Sequence, residues 1–229
     1  MEIGALTLGF WRITKVSEWH SDRYWRNRPT DERVKNARIP ARYLGKSFET
    51  YDQDKGDISA YTGVSKWAES SEKHVKNGMG LFLFGPTGTG KTHLIQAALH
   101  DAITKNMLSG IFITADRYLD MVYDETRNSG ELSEGYSDPN LLMYMRRTYD
   151  LLVLDSLGSE RATTDFARSA LAALIDNRYE EKKPTLITSV LTPSTVASRY
   201  GQHLASIIYE SSFLIETVGK DYSLTNAGK

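Results

Sequence analysis

Eight consecutive residues, Gly85, Pro86, Thr87, Gly88, Thr89, Gly90, Lys91 and Thr92, satisfy the spacing G-x-x-x-x-G-K-[ST]. Each type has a task in holding a chain of phosphates. The glycines let the backbone turn tightly enough to aim its N–H groups inward, and the start of a helix adds partial positive charge at the same spot. Lys91 reaches the β- and γ-phosphates, and the Thr92 hydroxyl is a ligand for Mg²⁺.

A triphosphate site needs a second part, an acid at the end of a neighbouring strand that holds the magnesium ion. Asp155 meets that need, because Leu151, Leu152, Val153 and Leu154 run straight into it. A carboxylate that merely caps a strand is the alternative, since four apolar residues and an Asp form a loose pattern on their own. The next residue is Ser156, where a second acid would serve as catalytic base. A serine can hydrogen-bond a water but cannot replace a carboxylate.

These residues need a scaffold, and the chain supplies a regular one. From Gly80 onward, apolar runs at 81–84, 110–115, 151–155, 185–190 and 213–217 alternate with amphipathic helices. The helices are expected over 91–106, near 116–126 and 139–148, over about 166–182, and once or twice between 193 and 210. Strands this apolar belong to a sheet covered on both faces, and the order predicts an α/β fold with a parallel five-stranded sheet flanked by helices. The loop at 85–92 and Asp155 then share the edge of the sheet where such folds bind ligands.

With 229 residues and 40% hydrophobic content, the chain can build one core and a small appendage. It has no cysteine and five scattered histidines, which excludes disulfides and thiolate chemistry and leaves no metal site of protein ligands alone. No run approaches a membrane span and the first residues lack the order of a signal peptide, so a soluble cytoplasmic protein is expected. The net charge of −1 hides an asymmetry: ten basic against four acidic residues over 11–46 give that stretch a surplus of six and leave −7 elsewhere. Residues 1–46 therefore read as a basic N-terminal arm, with the nucleotide-binding core over 47–229. The arm holds Trp11, Trp19 and Trp25, and around them Arg23, Arg26 and Arg28. Interleaved rings and guanidinium groups suit single-stranded DNA, a partner protein, or packing of the arm on its own core.

Taken together, "GPTGTGKTHL", "LLVLDSLGSE", "IDNRYEEKKPTLITS", "GKDY" and the lead "RIPARYLGKSFETYD" resemble the DnaC/DnaI-type replicative helicase loaders of bacteria and phages. The IstB-type transposition helper ATPases share most of these features. The resemblance spans about residues 38–223. It implies a P-loop NTPase fold of AAA+ type, ATP and Mg²⁺, self-association through the ATP site, and single-stranded DNA binding. For the loaders it also implies a replicative ring helicase as partner, grasped by the residues ahead of the core.

Four positions depart from the pattern of these families: Ser156 in place of an acid, Val190 in place of the asparagine that positions water, Ile207 in place of an intersubunit arginine, and Ser223 in place of an arginine. The binding half of the site is kept and the hydrolytic half is thinned, so weak or partner-dependent hydrolysis is expected. A hydrolysis-deficient adaptor or inhibitor of a helicase is the further alternative. Substitutes within the chain are Thr188, Ser189, Glu160 and Asp165 near the phosphates. Arg178, Arg199 and Arg161 are candidates to reach a neighbouring subunit's site.

Overall fold

The computed structural model describes residues 28–127, 141–160 and 164–219. Five parallel strands form one sheet: β1 (Gly80–Phe84), β2 (Gly110–Thr114), β3 (Leu151–Leu157), β4 (Thr185–Ser189) and β5 (Ser212–Glu216), side by side in the order β2-β3-β4-β1-β5. Their side chains divide by parity, as a pleat requires. Leu81, Leu83, Phe112, Leu151, Val153 and Leu186 join one apolar cluster, and Phe82, Ile111, Ile113, Leu152, Leu154 and Ile187 join the other. Both faces are covered, which is why the strand sequences show no polar alternation.

The first face is covered by α1 (Thr30–Asn36), α2 (Ile58–Glu69) and α4 (Lys91–Thr104), with α3 (Ser71–Lys76) following α2 directly. On the second face lie α5 (Ala115–Arg127), α6 (Leu141–Arg147), α7 (Asp165–Glu180), α8 (Pro193–Tyr200) and α9 (Gln202–Ser211). Three of these helices begin on side-chain caps. Asp57, Thr164 and Thr192 accept from the N–H groups of Ala60, Ala167 and Thr195, and Pro193 opens α8, where a missing N–H costs nothing. Gly201 separates α8 from α9, so the stretch read as one or two helices is two.

The basic stretch 28–46 does not stand apart from the core. Arg33 is buried and its guanidinium donates to the Ile103 carbonyl at 2.9 Å, while Ala37 and Ile39 enter the first apolar cluster. The Phe112 N–H on β2 donates to the Ala37 carbonyl at 2.8 Å. Residues 28–46 thus pack with the core to which the charge count had opposed them. Among the described residues no helix is long and apolar enough to cross a membrane.

Candidate functional site

At the end of β1, Phe84 sits between Ser189 of β4 and Glu216 of β5. From here the connection to β2 crosses one face of the sheet and the connection from β4 to β5 crosses the other, which opens a crevice between them. Gly85 enters it with φ 141°, and a Cβ at this position would run into the Thr217 carbonyl. Gly85→Ala should therefore cost about 2 kcal/mol of stability or more, read as a lowered midpoint of thermal unfolding; an unchanged midpoint would contradict this packing. Gly90 turns the chain into α4 with φ 90°, and α4 carries no side-chain cap, so its first N–H groups remain available to an anion.

Lys91 folds back over its own loop, where its ammonium donates to the carbonyls of Gly85, at 2.8 Å, and of Pro86. Burial lowers its pKa, and the Asp155 carboxylate acts in the opposite direction. Thr89 shares a hydrogen bond of 2.7 Å with Thr217, which ties the loop to the segment after β5.

Asp155 is buried on β3 opposite Thr114. Its Oδ1 accepts from the hydroxyl of Thr92 at 2.9 Å and from that of Thr188 at 2.6 Å, and its Oδ2 accepts from Ser156 Oγ at 3.3 Å. The loop and the strand-end acid, 63 residues apart in sequence, are in direct contact. Beyond Asp155 the β3–β4 register shifts between Leu154 and Leu157. Ser156 sits at this irregularity with φ 65°, its N–H donating to Thr188 Oγ1 at 2.8 Å. A non-glycine residue in the left-handed region is uncommon, and such strain gathers at functional sites.

The sequence-derived substitutes separate sharply. Thr188 supports Asp155, as above. The Ser189 hydroxyl donates to the Leu157 carbonyl at 2.7 Å and accepts from the Leu191 N–H at 2.9 Å, so it stabilises the strand ends. Glu160 is buried and engaged by Arg199 at 3.1 Å, by the Tyr200 hydroxyl and by the Gly158 N–H. Asp165 lies in solvent, paired with Arg168 on the first turn of α7. Neither acid lines the cavity beside the loop.

Arg178 requires a correction. It is 0% exposed, and its guanidinium donates to the carbonyls of Met145, Tyr149 and Pro184 and to Thr185 Oγ1. These groups lie at the start of β3 and β4, the opposite end of the sheet from the loop, so Arg178 serves the fold and cannot reach a neighbouring subunit. Arg199 is committed to Glu160 within the chain. Ile207 is buried in the second apolar cluster, so α9 turns that position inward. Arg28 pairs with Glu32 at 2.9 Å. Trp11, Trp19, Arg23, Trp25, Arg26, Arg161 and Ser223 lie outside the described residues.

A cavity of about 450 Å³ joins these parts, lined by Gly88, Lys91, Thr92, Ser156, Thr188 and Val190. Its other wall was missed in the sequence and comes from the stretch before β1: Tyr43, Lys46, Thr50, Tyr51 and Asp52. Tyr51 packs edge-on against His93, ring centroids 5.2 Å apart, and stacks on Tyr61 at 5.5 Å. Burial pushes the His93 pKa down, and its Nε2 lies 2.8 Å from the Ser47 carbonyl. An aromatic wall beside a phosphate loop has room and chemistry for a nucleobase. The clustering of aromatic residues in "RYLGKSFETYD" was the available signal.

A family model described as IstB-like ATP binding protein matches residues 14–210. The replicative helicase loader DnaI of Bacillus subtilis (strain 168) is 25% identical over 168 residues, which are 73% of this chain and 51% of that protein. The chromosomal replication initiator protein DnaA of Neisseria meningitidis (strain FAM18) is 24% identical over 155 residues, 66% of this chain and 27% of the relative. The chain thus spans about half of the first of these curated relatives and about a quarter of the second. Among solved structures, the DnaC helicase loader superimposes with a TM-score of 0.68 at 27% identity, covering 78% of this chain and 100% of the other. A replication initiator DnaA bound to AMPPCP and single-stranded DNA has the same fold, with a TM-score of 0.59 at 23% identity over 78% of this chain and 50% of that one.

Proposed function

The chain belongs to the family of IstB-like ATP-binding proteins, and on that premise we propose that it is an AAA+ helicase loader dependent on ATP and magnesium. In this reading it associates through its ATP site and delivers a replicative ring helicase to single-stranded DNA. The observation that carries it is the contact of Thr92 with Asp155 beside the Lys91 loop, in a chain that covers the whole of a helicase-loader structure.

The pair fits magnesium. Thr92 Oγ1 and Asp155 Oδ1 are brought together in a hydrogen bond of 2.9 Å and would hold the ion together with the phosphates. Both are hard oxygen donors. Bound there with ATP, the ion would neutralise charge on the β- and γ-phosphates. The chain's own residues do the rest: loop N–H groups and α4 orient the phosphates, Lys91 leaves its two carbonyls for them, and Thr188 fixes Asp155.

Turnover should be slow in the isolated protein. Ser156 is no carboxylate, Val190 has no polar group to orient water, and Glu160 is held by Arg199 and Tyr200. We expect ATP hydrolysis near background alone and several-fold faster with helicase and single-stranded DNA, measured as phosphate release against a Lys91→Ala control. Rates equal to the control in every mixture would remove hydrolysis and leave the second reading, a nucleotide-holding adaptor, which Val190 on the cavity wall favours. Capture of a replicative helicase separates the loader from a transposition helper of the IstB type, for which duplex DNA and a transposase are the expected partners.

A further inference from the structure

We propose that Tyr43 is a nucleotide-contacting residue whose phenol hydroxyl distinguishes ATP from ADP. The inference rests on the ATP reading of the cavity and adds to it a residue from outside the phosphate loop and the strand ends.

The sequence brings Tyr43 in along a short, well-anchored path. Ile39 is buried, Pro40 fixes the backbone ahead of a single 3-10 turn at Ala41–Tyr43, and Tyr43 N–H donates to the Pro40 carbonyl at 2.8 Å. Two neighbours hold its ring. Phe112 of β2 packs against it with centroids 5.8 Å apart, and the Arg42 guanidinium carbon lies 4.5 Å from its centre. With the ring fixed, the hydroxyl is the group left to act. Tyr43 lines the same cavity as Lys91, Thr92 and Ser156, and its phenol hydroxyl is within hydrogen-bond reach of Thr92 and of its chain neighbour Arg42, in the field of the Asp155 carboxylate.

This is the end of the cavity where a triphosphate differs from a diphosphate. Thr92 and Asp155 would hold a cation that neutralises the terminal phosphates, and a donor beside that pair can meet the γ-phosphate, the group that ADP lacks. The phenol supplies the donor without a charge that would compete with Lys91 or the metal. A site built to hydrogen-bond a ligand discriminates against one that leaves its donor unmet.

The test is Tyr43→Phe in the full chain, with binding of ADP and of a non-hydrolysable ATP analogue measured in Mg²⁺ by calorimetry. The variant keeps the ring contacts with Phe112 and Arg42 and gives up only the hydroxyl's hydrogen bonds to Arg42 and Thr92, so the unfolding midpoint without nucleotide should fall by no more than about 5 °C. The analogue should bind about 10-fold more weakly, as expected for one lost hydrogen bond to a charged group, and ADP within about twofold of wild type. Equal losses for both nucleotides, no loss for either, or a midpoint without nucleotide that falls by more than that would overturn the proposal. A wild-type protein that binds neither nucleotide would instead remove the ATP reading on which it rests.

Discussion

Lys91→Ala is expected to weaken ATP binding by roughly 100-fold, about 2.7 kcal/mol, the size of a lost charge-assisted contact to phosphate. The same variant should leave the empty protein nearly as stable as before. In the absence of nucleotide the ammonium satisfies the carbonyls of Gly85 and Pro86 and, at 3.4 Å, Thr89 Oγ1, in a loop beside a cavity where water can take its place. Wild-type protein at 100 times its dissociation constant should gain about 2.7 kcal/mol from ligand, or about 5–10 °C in unfolding midpoint for a chain of this size. Lys91→Ala should lose that gain at the same ATP concentration. A variant that keeps it would show that the loop does not bind phosphate through this side chain.

The lysine also gives ATP binding a pH dependence of fixed sign. Burial lowers its pKa in the empty site, and phosphate would raise it again, so the bound state holds more proton. Affinity should therefore fall as the solution is made alkaline through the window between the two values. Calorimetry in buffers of different ionisation enthalpy would register the proton uptake there.

Arg178→Met should be the most damaging single substitution to the fold, with a loss of about 3–5 kcal/mol and about 10 °C in unfolding midpoint. The guanidinium binds the Met145 carbonyl at the end of α6, those of Tyr149 and Pro184 ahead of β3 and β4, and Thr185 Oγ1. Burial lowers its pKa to about 9, and Asp150 offsets part of that effect, so it remains a cation at neutral pH. Methionine fills similar volume but leaves the carbonyls without donors in an apolar setting. Lysine would restore the charge without the planar fork and should recover only part of the loss. Nucleotide affinity below the new midpoint should match wild type, because the cluster lies at the far end of the sheet. A large fall in affinity with stability intact would return Arg178 to the ATP site.

Arg178 also shows where sequence reading ends. An arginine near the end of an amphipathic helix is usually solvated, and nothing in its own neighbours says that four carbonyls from the end of α6 and the segments ahead of β3 and β4 converge on it. Long-range burial of that kind is a property of the assembled sheet. The strands were legible because both faces are buried, which removes polar interruptions. The phosphate loop was legible because the backbone geometry it needs restricts residue types. Helices α2 and α3 went unread, although Ala60, Val64, Trp67 and Ala68 lie on one face of α2 and are buried. Tyr43 and Tyr51 were missed for a different reason: they reach the cavity across a gap in sequence that only the fold closes. Ile207 was noticed as a departure, and the structure supplies its sense, since α9 directs that position into the core.

The two rims of the sheet are unequally protected. At β2 the Phe112 N–H is already taken by Ala37 and α1 lies over the adjoining helix. At β5 nothing among the described residues pairs with the outer backbone, and Phe213 and Leu214 are exposed along it. Unpaired apolar rims are where chains adhere to one another as they fold. Because β5 is the last of the described strands in sequence, adhesion along it would set in only after the loop at 85–92 and Asp155 had been synthesised.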